Sequence, residues 1–216
     1  MSLLGLFTST RALEHLNLDR NPLLPLAIDT FAGLEHSLRN ISCQSCPLTF
    51  ISLPAFARLN NLERLKLQSN LLTEIKPESI FSSMSQLIAI DLQRNQLKEI
   101  PAALPASLRE LELGYNQLTT FALSNDTLQQ LSQLDLTSNP LHCDCSIKPL
   151  HRWLLSHFQA ELVPYVQWSC ASPLPLAGKQ LGSLRESQFI CQDLPVSTTT
   201  TTTTITTTTT TVLTTQ

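Results

Sequence analysis

Glycine is scarce in this chain, with only 5 among 216 residues, and neither a P-loop nor a G-x-G-x-x-G stretch occurs. Charge is sparse as well. Charged residues make up 14%, the net charge is −3, and no basic stripe is visible, so nucleic-acid binding has no electrostatic support. No apolar run approaches the ~18–20 residues that a membrane helix needs. The opening Met1-Ser2-Leu3-Leu4-Gly5-Leu6-Phe7 is briefly apolar, but it lacks a basic flank and is short for a signal peptide. The histidines, His15, His36, His142, His151 and His157, share no spacing with a serine, cysteine or carboxylate that would mark a catalytic group. No catalytic residue, cofactor or metal is therefore expected, and the chain does not read as an enzyme.

What is present in excess is leucine, with 43 residues, about one in five. The body is too apolar to be intrinsically disordered. A second bias lies at the end, where 15 of the last 19 residues are threonine. That tail is too monotonous to pack a core. The remainder suffices for one domain or for a linear repeat array.

The leucines recur as L-x-x-L-x-L-x-x-N-x-L. One copy is Leu62, Leu65, Leu67, Asn70, Leu72, and others begin at Leu13, Leu87, Leu108 and Leu131. A divergent copy, Leu38, Ile41, Cys43, Cys46, Leu48, fits between the first and third. Starts are spaced 25, 24, 25, 21 and 23 residues. Within each copy the fourth and sixth residues alternate with polar ones, as a short strand requires. Stacked copies align these strands in a parallel sheet over a shared leucine core. The asparagine column fits a turn in which a buried amide satisfies loop backbone groups. A second apolar set, Phe7, Phe31 with Leu34, Phe56 with Leu59 and Phe81 with Met84, should stack inside the convex side. The pattern resembles the leucine-rich repeat, which implies an α/β solenoid, a horseshoe with a parallel concave sheet, over residues 1–138.

Cys43 and Cys46 form a C-x-x-C. In register they take an inward leucine position and the asparagine position, so they are expected to be inert buried thiols. Cys143, Cys145, Cys170 and Cys191 follow the last copy, and Pro149, Leu150, Trp153, Leu154 and Phe158 have helical spacing. Four cysteines allow three pairings. A zinc reading would gather His142, Cys143, Cys145, His151 and His157, but their spacing matches no common module. Residues 139–193 closely resemble the cysteine-rich C-terminal flanking cap of extracellular leucine-rich repeat proteins. The resemblance implies bridges Cys143–Cys170 and Cys145–Cys191, and a lid on the open solenoid end. Such bridges persist in an oxidising compartment, which predicts a secreted or cell-surface protein. With that compartment but no leader, the chain is expected to be a piece of a longer one, whose first coil exposes apolar core and frays.

Residues 194–216 resemble a mucin-like, O-glycosylated stalk; an unglycosylated linker is the plainer alternative. Sequons occur at Asn40 and Asn125, the first on a predicted strand and the second on the convex or edge side. Between the strand leucines, the concave face should present His15, Asn17 and Asp19; Asn40, Ser42 and Gln44; Arg64, Lys66 and Gln68; Ala89, Asp91 and Gln93; Glu110, Glu112 and Gly114; and Gln133, Asp135 and Thr137. Arg20, Arg94 and Tyr115 flank it. Arg64 and Lys66 make a basic spot, while Asp91, Glu110, Glu112 and Asp135 make an acidic strip fit to steer a basic protein. A merely solvated face is the alternative. Tyr115 is the single residue best placed as an interface anchor.

The order of repeats, cap and stalk resembles the platelet glycoprotein Ib alpha chain and the variable lymphocyte receptors of jawless vertebrates, although the spacing is less regular than in the latter. It implies a cell-surface recognition or adhesion module that binds a protein ligand. Leucine-rich matrix proteins, or the ectodomain of a larger receptor, are the alternatives.

Overall fold

The computed structural model describes residues 5–10, 12–22, 30–49, 53–56, 58–76, 80–82, 84–101, 103–158 and 166–191. The threonine tract expected as a stalk lies outside the described residues.

Each repeat contributes one three-residue strand: β1 (His15–Asn17), β2 (Asn40–Ser42), β3 (Arg64–Lys66), β4 (Ala89–Asp91), β5 (Glu110–Glu112) and β6 (Gln133–Asp135). They pair in parallel and in chain order, forming a six-stranded sheet. The register places Leu16, Ile41, Leu65, Ile90, Leu111 and Leu134 side by side on the inner face. Inward apolar and outward polar residues alternate, so a one-residue slip would expose the whole row.

Beyond each strand the chain turns sharply through one residue with a left-handed backbone. Arg20, Ser45, Ser69, Arg94, Tyr115 and Ser138 have φ values between 54° and 59°. None is glycine, so each turn costs roughly 1–2 kcal/mol that packing must offset. The turn swings the next side chain into the interior, where Asn70, Asn95, Asn116 and Asn139 are buried. Their amides serve two coils at once. Asn95 Nδ2 donates to Leu92 O of its own coil and Leu67 O of the preceding one, both at 3.0 Å, while its Oδ1 accepts from Leu72 N. Asn116 does the same with Leu113 O, Leu92 O and Leu97 N. The column thus satisfies backbone groups that would otherwise be buried without partners.

Opposite the sheet, Phe31, Leu34, Phe56, Leu59, Phe81 and Met84 are all enclosed. The rings of Phe31 and Phe56 lie 5.4 Å apart. Two short helices, α1 (Leu53–Phe56) and α2 (Asn125–Gln130), occur on returning segments. Gly33, at φ +97°, lets the chain pass against Phe7, since a Cβ there would stand 2.6 Å from the Phe7 carbonyl oxygen.

A second small sheet closes the C-terminal end, pairing β7 (Leu141–His142) with β8 (Cys170–Ser172). The helical spacing appears as α3 (Lys148–His157), which buries Leu150, His151, Trp153 and Leu154. Trp153 stacks on Trp168 with ring centroids 6.3 Å apart. Cys143 is bonded to Cys170 and Cys145 to Cys191, closing separations of 27 and 46 residues. Loops of this size correspond to about 3–4 kcal/mol per bridge. Since these sulfurs are bonded to each other, they offer no thiolates for the zinc alternative. Among the described residues no helix is long and apolar enough to cross a membrane.

The Cys43–Cys46 pair corrects an expectation. Both residues are buried as the register predicts, but they form a disulfide rather than two thiols. The left-handed turn at Ser45 is the physical reason. It folds residues three apart onto each other, as Asn70 Nδ2 is folded onto Leu67 O at 2.8 Å in the next coil.

Candidate functional site

The parallel register converts the outward strand residues into rows across the concave face. One row runs His15, Asn40, Arg64, Ala89, Glu110, Gln133, and the next runs Asn17, Ser42, Lys66, Asp91, Glu112, Asp135. A third follows two residues later: Asp19, Gln44, Gln68, Gln93, Gly114, Thr137.

At the N-terminal end, β1 to β3 enclose a hollow of about 350 Å³, lined by His15, Asn17, Asp19, Asn40, Ser42, Gln44, Arg64 and Lys66. Its side chains are largely engaged with each other. Asn40 Nδ2 lies 2.8 Å from His15 Nδ1, and Asp19 Oδ1 accepts from Ser42 Oγ at 2.6 Å and from Gln44 N at 2.8 Å.

The basic spot and the acidic strip are not separate. Arg64 reaches across Ala89 and donates to both carboxylate oxygens of Glu110, at 2.8 and 3.2 Å. The small side chain of Ala89 leaves that span open. The Glu110 hydrogen bond holds the Arg64 guanidinium above its ordinary pKa, against the opposing effect of burial. Glu110 is therefore an internal partner as well as a surface charge.

The carboxylates of Asp91, Glu112 and Asp135 sit in consecutive register positions. Burial pushes Asp91 up from the ordinary 3.8; the Gln93 backbone N–H and Lys66 oppose this, and Asp135 adds to it. Burial likewise raises Glu112 above 4.5, followed by repulsion from Asp135, Asp91 and Glu110, with Gln93 opposing. Gln93 Nε2 donates to Glu112 Oε2 at 3.1 Å. Asp135 leans over Gly114, where a Cβ would overlap its carboxylate, and accepts from Thr137 N and Oγ1. Gln68 is half-buried and its Oε1 has no partner. Gln133 is exposed at the C-terminal end of its row.

Along the turn edge, the Arg94 guanidinium stands 4.3 Å over the Tyr115 ring. Tyr115, itself the left-handed turn residue of its coil, is 44% exposed. Asn125 opens α2, exposed and outside the concave rows, whereas Asn40 lies on the floor of the hollow.

One cluster was not legible from spacing. His142 Nδ1 lies 2.6 Å from Ser172 Oγ, with Asp144 3.8 Å from the other ring nitrogen. Asp144 is committed to Ser146 N and Oγ, at 2.8 and 2.5 Å. The group fastens the cap where His142 N donates to Thr119 O of the repeats.

Comparisons with known proteins agree with this architecture. The leucine rich repeat profile matches residues 36–97. A zebrafish (Danio rerio) leucine-rich repeat and fibronectin type III domain-containing protein 1-like protein is 32% identical over 81% of this chain, which spans 22% of that relative. Human platelet glycoprotein IX is 41% identical over 44% of the chain and 52% of its own length. Among solved structures, human trophoblast glycoprotein matches with a TM-score of 0.67 at 24% identity, covering 87% of this chain and 72% of that one. Repeat register, parallel sheet and these likenesses together give the chain the leucine-rich repeat fold, a parallel-strand solenoid with disulfide bonds.

Proposed function

We propose that this chain is an extracellular protein-binding module whose concave face receives a protein ligand at the cell surface. The observation that carries the reading is the row Asp91, Glu112 and Asp135 beside the Arg94–Tyr115 stack. Carboxylates whose ionised form is disfavoured by burial and by one another gain from an incoming cation. A partner presenting Lys or Arg beside an apolar group fits that chemistry, and Tyr115 supplies the aromatic anchor. Disulfides support the oxidising compartment. Relatives named as a platelet glycoprotein and as a multidomain leucine-rich repeat protein support a recognition or adhesion role. In this reading the Thr-rich tract is a glycosylated spacer, and a glycan at Asn125 leaves the concave face open.

A screen of the purified chain against extracellular proteins by surface plasmon resonance tests this reading. Ligands should lose affinity as salt rises, and Glu112→Lys and Tyr115→Ala should each weaken them at least tenfold. Glu112 is the cleaner probe, because reversing Glu110 also breaks the Arg64 pair. Ligands indifferent to both variants at low salt would remove the concave face from the proposal.

A further inference from the structure

The sequon Asn40-Ile41-Ser42 coincides with β2. Strand alternation sends Ile41 into the core and turns Asn40 and Ser42 onto the concave face, where both stay partly open to solvent. In its row Asn40 stands between His15 and Arg64, and both of these are exposed. Its Nδ2 lies 2.8 Å from His15 Nδ1. A primary amide carries two protons, so replacing one leaves the other for His15.

The backbone of β2 is paired with β1 on one side and β3 on the other. Ser42 Oγ donates to Asp19 Oδ1 at 2.6 Å. Both arrangements withdraw the sequon from any enzyme once the coils have stacked. A sugar is therefore attached before β2 pairs, and the finished fold must have room for it. That room exists. Asn40 lines the hollow of about 350 Å³, which lies within the range of small-ligand sites. Around it stand Asn17, Asp19, Gln44, Arg64 and Lys66, all able to hydrogen-bond sugar hydroxyls. Farther along the same row no comparable space is left over Ala89, because Arg64 reaches across it to Glu110.

We infer that Asn40 carries an N-linked glycan whose first sugar is seated in this hollow, closing the N-terminal half of the concave face. In the transfer, Asn40 Nδ2 takes the anomeric carbon of a lipid diphosphate-linked oligosaccharide. The N–C bond forms, the C–O bond to the diphosphate breaks, and one Nδ2 proton leaves with the diphosphate. Transfer takes place in the secretory pathway, so this glycan rests on the extracellular reading above. Strands stand ~4.8 Å apart, so Lys66 lies roughly 5 Å from the attachment strand, Asp91 roughly 10 Å and Glu112 roughly 14 Å. The seated sugar shields Arg64 and Lys66 and leaves Asp91, Glu112 and Asp135 open. The part of the face left to a protein ligand is then acidic, which sharpens its preference for a basic partner.

Asn125, exposed at the start of α2, is the internal control. The full chain is secreted from cultured animal cells behind a cleavable leader. It is deglycosylated in heavy-oxygen water, which marks each formerly glycosylated asparagine, and read by peptide mass spectrometry. Both Asn40 and Asn125 should be marked. A mark at Asn125 alone overturns the Asn40 glycan and leaves the extracellular reading standing. A mark at neither overturns both. The seat is tested by acetylating the folded glycoprotein with a small amine reagent. Lys66 should react several-fold more slowly than in Asn40→Gln, while Lys98, exposed away from the concave rows, keeps its rate. Trimming to the first sugar with an endoglycosidase should preserve that protection. Equal Lys66 rates in the glycoprotein and Asn40→Gln, or protection lost on trimming, overturn the seat.

Discussion

The first and last described coils of the solenoid are held by different contacts. The last coil is covered by the cap, with two disulfides, a stacked tryptophan pair and α3 packed over the core. The first coil meets the second through the backbone pairing of β1 and β2, including Leu18 N to Ser42 O at 2.7 Å, with polar side-chain contacts at Asp19 and His15 beside it. In a stacked array each coil is stabilised by its neighbours, so these differences set a gradient of local stability along the chain.

The largest effect that would break this contrast comes from the cap. Replacing Cys143 and Cys170 by serine should cost about 3–4 kcal/mol, measured as a lower denaturant midpoint, and protection should fall first at α3 and β8. A smaller effect separates the seams. Asn116→Ala leaves the buried Leu97 N without its acceptor and removes one of the two donors to Leu92 O and to Leu113 O, and should cost about 1–3 kcal/mol by chemical denaturation. Asn21→Ala, whose amide is exposed and among the described residues serves Leu18 and Asp19 of its own coil, should cost less than about 0.5 kcal/mol. Equal losses at the two positions would erase the gradient.

The smallest effect is electrostatic. The carboxyls of Asp91 and Glu112 titrate above their ordinary values, so the folded chain holds their protons more tightly than the unfolded chain. Their ionisation therefore weakens the fold as pH rises through the raised values. The penalty is absent below the ordinary 3.8 and 4.5. Glu112→Gln should stabilise the protein at neutral pH by less than about 1 kcal/mol, with the advantage shrinking as pH falls toward 4.5. A Tm difference independent of pH would show that the row is not under strain.

Much of this was legible because the repeat has a fixed period. Once Leu65, Leu67 and Asn70 are aligned with Leu111, Leu113 and Asn116, the strand centres and the buried amides follow. Side-chain reach was not legible. Arg64 and Glu110 stand two repeats apart, and only the shortness of Ala89 between them lets the pair form. His142 and Ser172 are likewise distant in sequence and meet only because β7 and β8 pair. The left-handed turns carried no sequence signal, since Arg20, Ser45 and Tyr115 are not residues that announce positive φ.

By itself the sequence determined the solenoid, its parallel sheet, its inward leucines and the rows that face the solvent, because hydrophobic periodicity fixes which residues leave water. Tertiary structure alone decided how the polar residues spend their hydrogen bonds. It joined Cys43 to Cys46, turned Asp19 into a link between coils, and left Asp91, Glu112 and Asp135 crowded in one row. Those outcomes depend on distances between side chains of different coils, and such distances exist only once the coils have stacked.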